Sequence, residues 1–425
     1  MTKKYILAIS LFIASQNIFG QTNNDAQKLG DIADSLYQAK SYAKATNYYI
    51  QVIGIADFNS KKVNAAYNAA CCLALQNKID SAFVLLNNAL KYGNIDKKNL
   101  LNDSDLKMLH SNRKWTLLLS KIKSQNKLNT NPEKAKFVTD DIHRFWKSYD
   151  LYLKDTLNAY TIFKSNYFDK ASIGMNDYMG LKVGSIKQFV NHIKTHPKFY
   201  SSIRPNTLKV DDYKNKFLQS FKNLKAIYPN AEFPNVYFVI GALTSGGTVS
   251  DAGLLIGANQ ICKDDKTNIE ELGFGQKLLV NKLEMLPQII SHELIHFQQR
   301  ENVKDTITLG YAINEGMADF IGELISGKSA NPQTAEWVKG KEQKVWERFK
   351  KDMFFNRYDN WIANYENASD DNFPDLGYWV GYEICKSYYE NSNDKKQAIY
   401  NMFHIKDYRQ FLIDSKWEEK IKPLK

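Results

Sequence analysis

The 425-residue sequence lacks a hydrophobic run long enough to cross a membrane. Its most apolar segment, residues 5–14, is about ten residues long, whereas a membrane-spanning helix needs about twenty. Lys3 and Lys4 precede this segment and Gly20 follows it, which is typical of a secretory signal peptide over residues 1–20. No cysteine follows the run, so we expect no lipid-attachment site there. These features predict an exported protein, periplasmic or extracellular, without stable membrane insertion, and an uncleaved signal anchor is the alternative.

Cysteine is also scarce, with four in the chain. Four cysteines do not build a disulfide framework in an exported chain of this length, and the adjacent pair Cys71 and Cys72 has the wrong spacing for a metal site. We therefore interpret all four as small buried residues. The sequence leaves open whether Cys262 and Cys385 form a disulfide.

The sequence has no dense basic run, although its formal net charge is +11. Its lysines are scattered through both halves of the chain, which favours a solvated surface over a face that binds nucleic acid. Export argues in the same direction. We therefore expect no nucleic-acid partner.

Helical periodicity dominates residues 25–123. Alanines and aromatic residues recur at the spacing of helix turns, and Ala45 aligns with Ala82 at a period close to that of a tetratricopeptide repeat. The segment resembles two such repeats and a closing helix pair, in which Leu106 and Trp115 cover the last repeat. We predict an all-α, tetratricopeptide-like repeat domain that recruits a protein partner or substrate, with a generic helical bundle as the alternative.

The composition and the periodicity both change after this helical segment. A polar stretch over residues 124–136 is typical of a linker. Three aromatic-rich helical segments follow, and then two strand-like segments, residues 235–243 and 254–259, which flank a glycine-rich turn and predict a β-hairpin. Residues 137–425 are therefore expected to form a second domain, mainly helical, of the α+β class, with a small β-sheet.

Histidine is rare, with seven in the chain, yet two of them lie in a His-Glu-X-X-His pattern. On a helix, His292 and His296 project from one face and can bind one zinc ion, while Glu293 is rotated by about 100° and can reach a metal-bound water. A catalytic zinc ion usually has three protein ligands, and Glu315, separated from His296 by eighteen residues, can supply the third from a second helix. Asp319 lies one turn further and can accept the free ring N–H of a ligating histidine.

This constellation resembles the gluzincin superfamily of zinc metallopeptidases, which includes thermolysin and the aminopeptidase N group. The letters that carry the resemblance are "HELIH", seventeen further residues and "NEGMAD". The resemblance implies a gluzincin-like fold in which His292, His296 and Glu315 bind one Zn²⁺ ion. It also implies that Glu293 is the general base and that Asp319 is the partner of His292.

The resemblance extends beyond the motif, because residues 136–425 are similar to a family of uncharacterised predicted zinc-dependent proteases. It implies hydrolysis of a peptide or protein substrate through a zinc-bound water. We consider Tyr378, in "LGYWVGYEI", a candidate for stabilising the oxyanion. Two alternatives stay open: a non-catalytic envelope scaffold or binding protein with a structural zinc ion, and a zinc hydrolase of a non-peptide amide.

Overall fold

The structure is a computed structural model that describes residues 26–93, 95–122, 129–365, 369 and 373–421. Over these ranges the protein is mostly helical with a small content of β-sheet, as the sequence predicts, and its strands form one four-stranded and one two-stranded sheet. The predicted signal peptide and the first part of the predicted linker lie outside the described residues. Within the described part of the chain, no helix combines the length and the apolar character needed to cross a membrane.

The described residues divide into two compact units. The first contains the residues up to 122 together with Arg144–Thr195. The second contains Asn129–His143 together with the residues from His196 onward. The sequence suggested one domain over residues 137–425, so the segment Arg144–Thr195 groups differently from that expectation.

Contacts between distant parts of the chain explain why Arg144–Thr195 packs with the first helices. Phe168 packs against Phe58, with ring centroids 5.5 Å apart. Asp57 accepts a hydrogen bond from the N–H of Ile186 at 2.8 Å. Neither contact is visible in the periodicity of one segment alone, so the sequence pattern could not place the boundary.

Ten α-helices are described up to residue 195, and the first four of them pack in succession through short turns. Their bounds are α1 (Ala26–Gln38), α2 (Tyr42–Ile55), α3 (Asn59–Leu75), α4 (Ile79–Tyr92), α5 (Lys97–Asn102), α6 (Arg113–Lys121), α7 (Asp140–Lys154), α8 (Ala159–Phe163), α9 (Ile173–Tyr178) and α10 (Ile186–Thr195). Ala45 and Ala82 have no exposed surface, which lets neighbouring helices approach closely. Leu106 and Trp115 are buried over α3 and α4, as expected of closing elements. These features agree with a tetratricopeptide-like arrangement.

The second unit contains the β-sheets and the remaining helices. The helices are α11 (Pro197–Thr207), α12 (Lys214–Ile227), α13 (Phe274–Leu279), α14 (Leu286–Gln298), α15 (Thr308–Ser326), α16 (Pro332–Val338), α17 (Glu342–Phe349), α18 (Leu376–Asn391), α19 (Lys395–Met402), α20 (Tyr408–Ser415) and α21 (Trp417–Lys420). The strands are β1 (Phe137–Val138), β2 (Val236–Val239), β3 (Gly247–Ser250), β4 (Gly253–Gly257), β5 (Ile261–Lys263) and β6 (Asn281–Lys282).

The four-stranded sheet has the order β1-β2-β4-β3, which corrects the predicted hairpin. The two predicted strands, β2 and β4, do pair, but they run parallel, whereas the antiparallel partner of β4 is β3. β3 lies inside the segment predicted as a turn, and its β-branched Thr248 and Val249 favour a strand. Gly253 closes the true hairpin with φ +137°, a conformation that favours glycine.

The four cysteines are buried and free. Burial agrees with the prediction, and the disulfide that the sequence left open between Cys262 and Cys385 is not formed. Each of these two thiols lies instead near a backbone carbonyl oxygen, that of Cys262 at 3.4 Å from Asn259 and that of Cys385 at 3.8 Å from Ile313.

Two glycines let α15 and α18 cross at backbone contact distance. A Cβ atom at Gly381 would lie 1.7 Å from the carbonyl oxygen of Ala312, and one at Gly316 would lie 2.0 Å from the carbonyl carbon of Gly381. α14 also passes close to α15, because a Cβ at Gly322 would lie 3.3 Å from the backbone nitrogen of His292. This close packing brings side chains of α14, α15 and α18 to one place.

Candidate metal centre

Three helices of the second unit position the candidate site. α14 has Pro287 in its first turn, where a missing N–H costs little, and it carries His292 and His296 one turn apart. The chain leaves α14 through the 3₁₀ turn Gln299–Glu301 and returns in α15, which carries Glu315. α18 packs across α15 and completes the site.

The structure brings the three predicted metal ligands together. Nε2 of His292 and Nε2 of His296 lie 3.0 Å apart. Oε2 of Glu315 lies 3.2 Å from Nε2 of His296 and 3.5 Å from Nε2 of His292. The three side chains are largely buried, with exposed fractions of 11%, 21% and 12% for His292, His296 and Glu315. Over the described ranges, no fourth histidine, cysteine or carboxylate joins them.

These spacings fit a tetrahedral zinc ion. Zinc binds imidazole nitrogen at about 2.0–2.1 Å and carboxylate oxygen at about 2.0–2.2 Å, so its ligand atoms lie about 3.3 Å from one another. The three distances between the ligand atoms, 3.0, 3.2 and 3.5 Å, lie on both sides of that value. The side chains can therefore hold one zinc ion and leave a fourth coordination position for another group.

Each histidine is also hydrogen-bonded through its other ring nitrogen. Nδ1–H of His292 donates to Oδ1 of Asp319 at 2.8 Å, and Nδ1–H of His296 donates to Oε1 of Gln299 at 2.8 Å. Asp319 also accepts hydrogen bonds from Nδ2 of Asn331 at 3.0 and 2.8 Å. Both Nε2 atoms are then acceptors that face the Glu315 carboxylate, and a cation between these three largely buried acceptors would relieve their repulsion.

The charges in this cluster shift the pKa values of its members. Burial alone would lower the pKa of His292, but hydrogen bonds to Asp319 and Glu315 raise that pKa well above its usual value. Burial alone would raise the pKa of Glu315, but the charges and hydrogen bonds of the two histidines hold the pKa of this carboxyl well below its usual range. The cluster therefore attracts a positive charge, which a proton or a metal ion can supply.

The two residues predicted to act on a substrate lie beside the cluster. Glu293 is buried next to β3, where a Cβ at Gly247 would lie 2.3 Å from its Oε1. Tyr378 of α18 stacks on the ring of His292, with centroids 5.9 Å apart and planes 18° apart. Burial and the charge of Glu315 raise the pKa of the Tyr378 hydroxyl well above its usual value, so this hydroxyl keeps its proton.

Sequence reasoning missed two residues that contact the histidine partners, Gln299 and Asn331. A signal for Gln299 was present, because it lies three residues after His296 and can reach that ring from the end of the same helix. Asn331 gave no such signal. It lies twelve residues beyond Asp319, where the course of the chain depends on tertiary packing.

A second group of potential metal ligands lies in the first unit, formed by Cys71, Asp103 and Asp105. Both carboxylates already accept hydrogen bonds, because Tyr67 donates to Asp103 at 2.7 Å and Tyr37 donates to Asp105. Burial raises the pKa of the Cys71 thiol well above its usual value, which disfavours the thiolate that a metal needs. This group is a hydrogen-bonded cluster of the helical array.

Comparisons with known proteins match most of the chain to one family. The family described as "Gliding motility protein GldB" matches residues 124–419, more than two thirds of the chain. The chain is also similar to a chloroplastic protein from Arabidopsis thaliana, at 29% identity over 109 residues, 25% of this chain. It spans about a third of the length of that relative. No solved structure matches.

The family match corrects the functional prediction. The matched family is one of gliding motility proteins and is not known as a peptidase family, so the predicted membership in a zinc-protease family and the prediction of a zinc metallopeptidase are both wrong. The gluzincin-like fold stays a prediction, since no solved structure matches. The roles predicted for Glu293, a general base, and for Tyr378, an oxyanion donor, belong to peptide hydrolysis and are withdrawn together with it. The sequence motif misled because its spacing specifies a ligand geometry and not a reaction.

Proposed function

The chain belongs to the GldB family of gliding motility proteins, and we propose that it is a non-catalytic envelope protein with one zinc ion bound by His292, His296 and Glu315. The observation that carries the metal site is the convergence of three buried acceptor atoms within 3.5 Å of one another. Asp319 supports it, because its carboxylate fixes the ring of one ligand from behind.

The proposed role of the zinc ion is structural. Two of its ligands lie on α14 and the third on α15, so the ion would cross-link two helices that follow each other in the chain. Binding free energy at such a site adds to folding free energy, because the unfolded chain does not hold the three ligands together. A water molecule or a group from a partner protein would fill the fourth position.

We further propose that the helical repeats of the first unit bind a protein partner in the envelope. Arrays of paired helices present extended surfaces on which other proteins dock. Val84 of α4 and Leu117 of α6 leave more than half of their surface exposed, which provides apolar contact area there. The predicted signal peptide would deliver the protein to the periplasm or the cell exterior.

Metal analysis of the purified full chain, combined with thermal unfolding, tests the zinc site. We expect about one zinc ion per chain in the wild type, and a lower unfolding temperature after removal of zinc by a chelator. His296→Ala and Glu315→Gln should each lose the zinc ion and the response to chelator. His143→Gln is the matched control, because His143 is exposed and lies outside the cluster. A wild-type chain that binds no added zinc would refute the site.

A further inference from the structure

We propose that Gln299 is a positioning residue that fixes the tautomer of His296 and so presents the Nε2 lone pair of this ring to the metal. The inference rests on the proposed zinc site. It concerns a side chain that does not itself touch the ion, and it follows from the direction of two hydrogen bonds. A residue of this kind determines how well a ligand binds without being a ligand.

The hydrogen bonds of Gln299 define the orientation of its side-chain amide. Gln299 is the C-terminal cap of α14, where its N–H donates to the carbonyl oxygen of His296, and its side chain reaches back to the ring of His296. Its Nε2 donates to the carbonyl oxygen of Asn314 at 2.7 Å. A backbone carbonyl can only accept, so this bond distinguishes the nitrogen of the amide from its oxygen.

The orientation of this amide determines the tautomer of His296. With the amide oriented in this way, Oε1 of Gln299 faces Nδ1 of His296 at 2.8 Å. An amide oxygen can only accept a hydrogen bond, so Nδ1 carries the hydrogen. In a neutral imidazole the other nitrogen is then unprotonated, and Nε2 directs its lone pair at the position between His292 and Glu315.

The same side chain links the two ligand helices. Asn314 directly precedes Glu315 on α15, so the bond from Gln299 ties the ring of His296 to the backbone beside the third ligand. His292 obtains the same tautomer from the carboxylate of Asp319. The Nδ1–H group of each histidine of the site thus donates to an acceptor, which is the charged Asp319 for His292 and the neutral Gln299 for His296.

The neighbouring Gln298 provides a control for structural effects. Its side chain points away from the cluster and bonds to the backbone of Glu232, with Oε1 accepting at 3.0 Å and Nε2 donating at 2.8 Å. Gln298→Leu would leave these partly buried backbone groups without their side-chain partner and destabilise the fold. It changes no hydrogen bond of either histidine.

The test compares three substitutions at Gln299 in the full chain, with zinc affinity measured by competition with a chromophoric chelator. Gln299→Glu keeps an acceptor for Nδ1–H and should bind zinc within about tenfold of the wild type. Gln299→Leu offers no partner and should bind about 10- to 100-fold more weakly. Gln299→Lys offers a donor, favours the wrong tautomer and should bind most weakly. Gln299 is only partly buried, so these side chains can be accommodated.

Two further measurements separate positioning from loss of stability. Gln298→Leu should lower the unfolding temperature and leave zinc affinity within about twofold of the wild type. Nitrogen NMR of the zinc-loaded protein, labelled at its seven histidines, should show a protonated Nδ1 for His296 in the wild type and in Gln299→Glu. Equal affinities of all three Gln299 variants would overturn the positioning role while the zinc site stood. A wild-type chain that binds no zinc would instead refute the proposed function itself.

Discussion

Asp375 is a largely buried carboxyl whose surroundings disfavour its charge. It accepts hydrogen bonds from the hydroxyl of Tyr365 and from the N–H of Ala363. Burial outweighs these bonds and raises the pKa of Asp375 to about 6. The negative charges of Glu315 and Asp319 raise it further, so this residue senses the charge of the neighbouring cluster.

This shift predicts a pH dependence of stability for the zinc-depleted protein. The pKa of Asp375 is about 6 in the folded state, and its ordinary value, which applies to the unfolded chain, is 3.8. Between these two pH values the folded state therefore binds more protons than the unfolded state. Stability should therefore fall as pH rises from about 4 to 6, by up to about 3 kcal/mol from this group. Asp375→Asn should remove that component, because an amide can accept from Ala363 and donate to Tyr365.

The measurement is urea unfolding of both proteins across this pH range. The stability of Asp375→Asn relative to the wild type should grow between pH 4 and 6 and then stay constant. A constant difference between the two proteins over the whole range would contradict the buried, protonated carboxyl.

At the scale of elements, the crossing of α15 and α18 determines where the site can form. Gly316 and Gly381 allow the two helices to approach, and this approach brings Tyr378 onto the ring of His292. The helical periodicity of each segment was evident from the sequence. The crossing itself was not, because a glycine in a helix signals a close approach without naming the helix that approaches.

The crossing predicts opposite effects for two glycine substitutions. Gly381→Ala should destabilise the second unit by at least about 2 kcal/mol, because its Cβ would lie 1.7 Å from a backbone oxygen and the helices would have to separate. Gly30→Ala in α1 is the matched control, since no atom lies within 4 Å of the added Cβ. It should stabilise the first unit by about 0.5–1 kcal/mol. Urea unfolding measures both effects, and wild-type stability of Gly381→Ala would refute the tight crossing.

At the scale of the whole molecule, the family match and the site have different implications for Glu293. The motif predicts a general base, whereas membership in a gliding motility family favours a protein without catalysis. Glu293 is no ligand of the proposed zinc ion, and Glu315 is one. Substitutions of these two glutamates therefore distinguish a catalytic site from a structural one.

The experiment reintroduces each variant into a strain that lacks the gene for this protein and does not glide, and measures the rate of gliding. Glu293→Gln should restore gliding to the wild-type rate, because it removes a general base and leaves the zinc ligands intact. Glu315→Gln should restore gliding poorly, because it weakens the cross-link between α14 and α15. Immunoblots should confirm comparable protein levels for Glu293→Gln and the wild type. Loss of gliding in Glu293→Gln at normal protein levels would contradict the non-catalytic proposal.

The sequence by itself determined the local features of this protein. The spacing of His292 and His296 placed both on one helix face, because a helix turn fixes the geometry of residues four apart. The buried alanines of the helical pairs followed from periodicity in the same way. The partnership of Gln299 with His296 was also within reach, because it is local to the end of α14.

Only the tertiary structure decided the features that join distant segments. It paired β2 with β4 in parallel, grouped Arg144–Thr195 with the first helices and brought Asn331 to Asp319. Each of these depends on which surfaces bury each other, and periodicity within one segment carries no information about its partner. The functional error has a different cause, since the motif specifies how a metal can be held, whereas the family match rests on residues 124–419 as a whole.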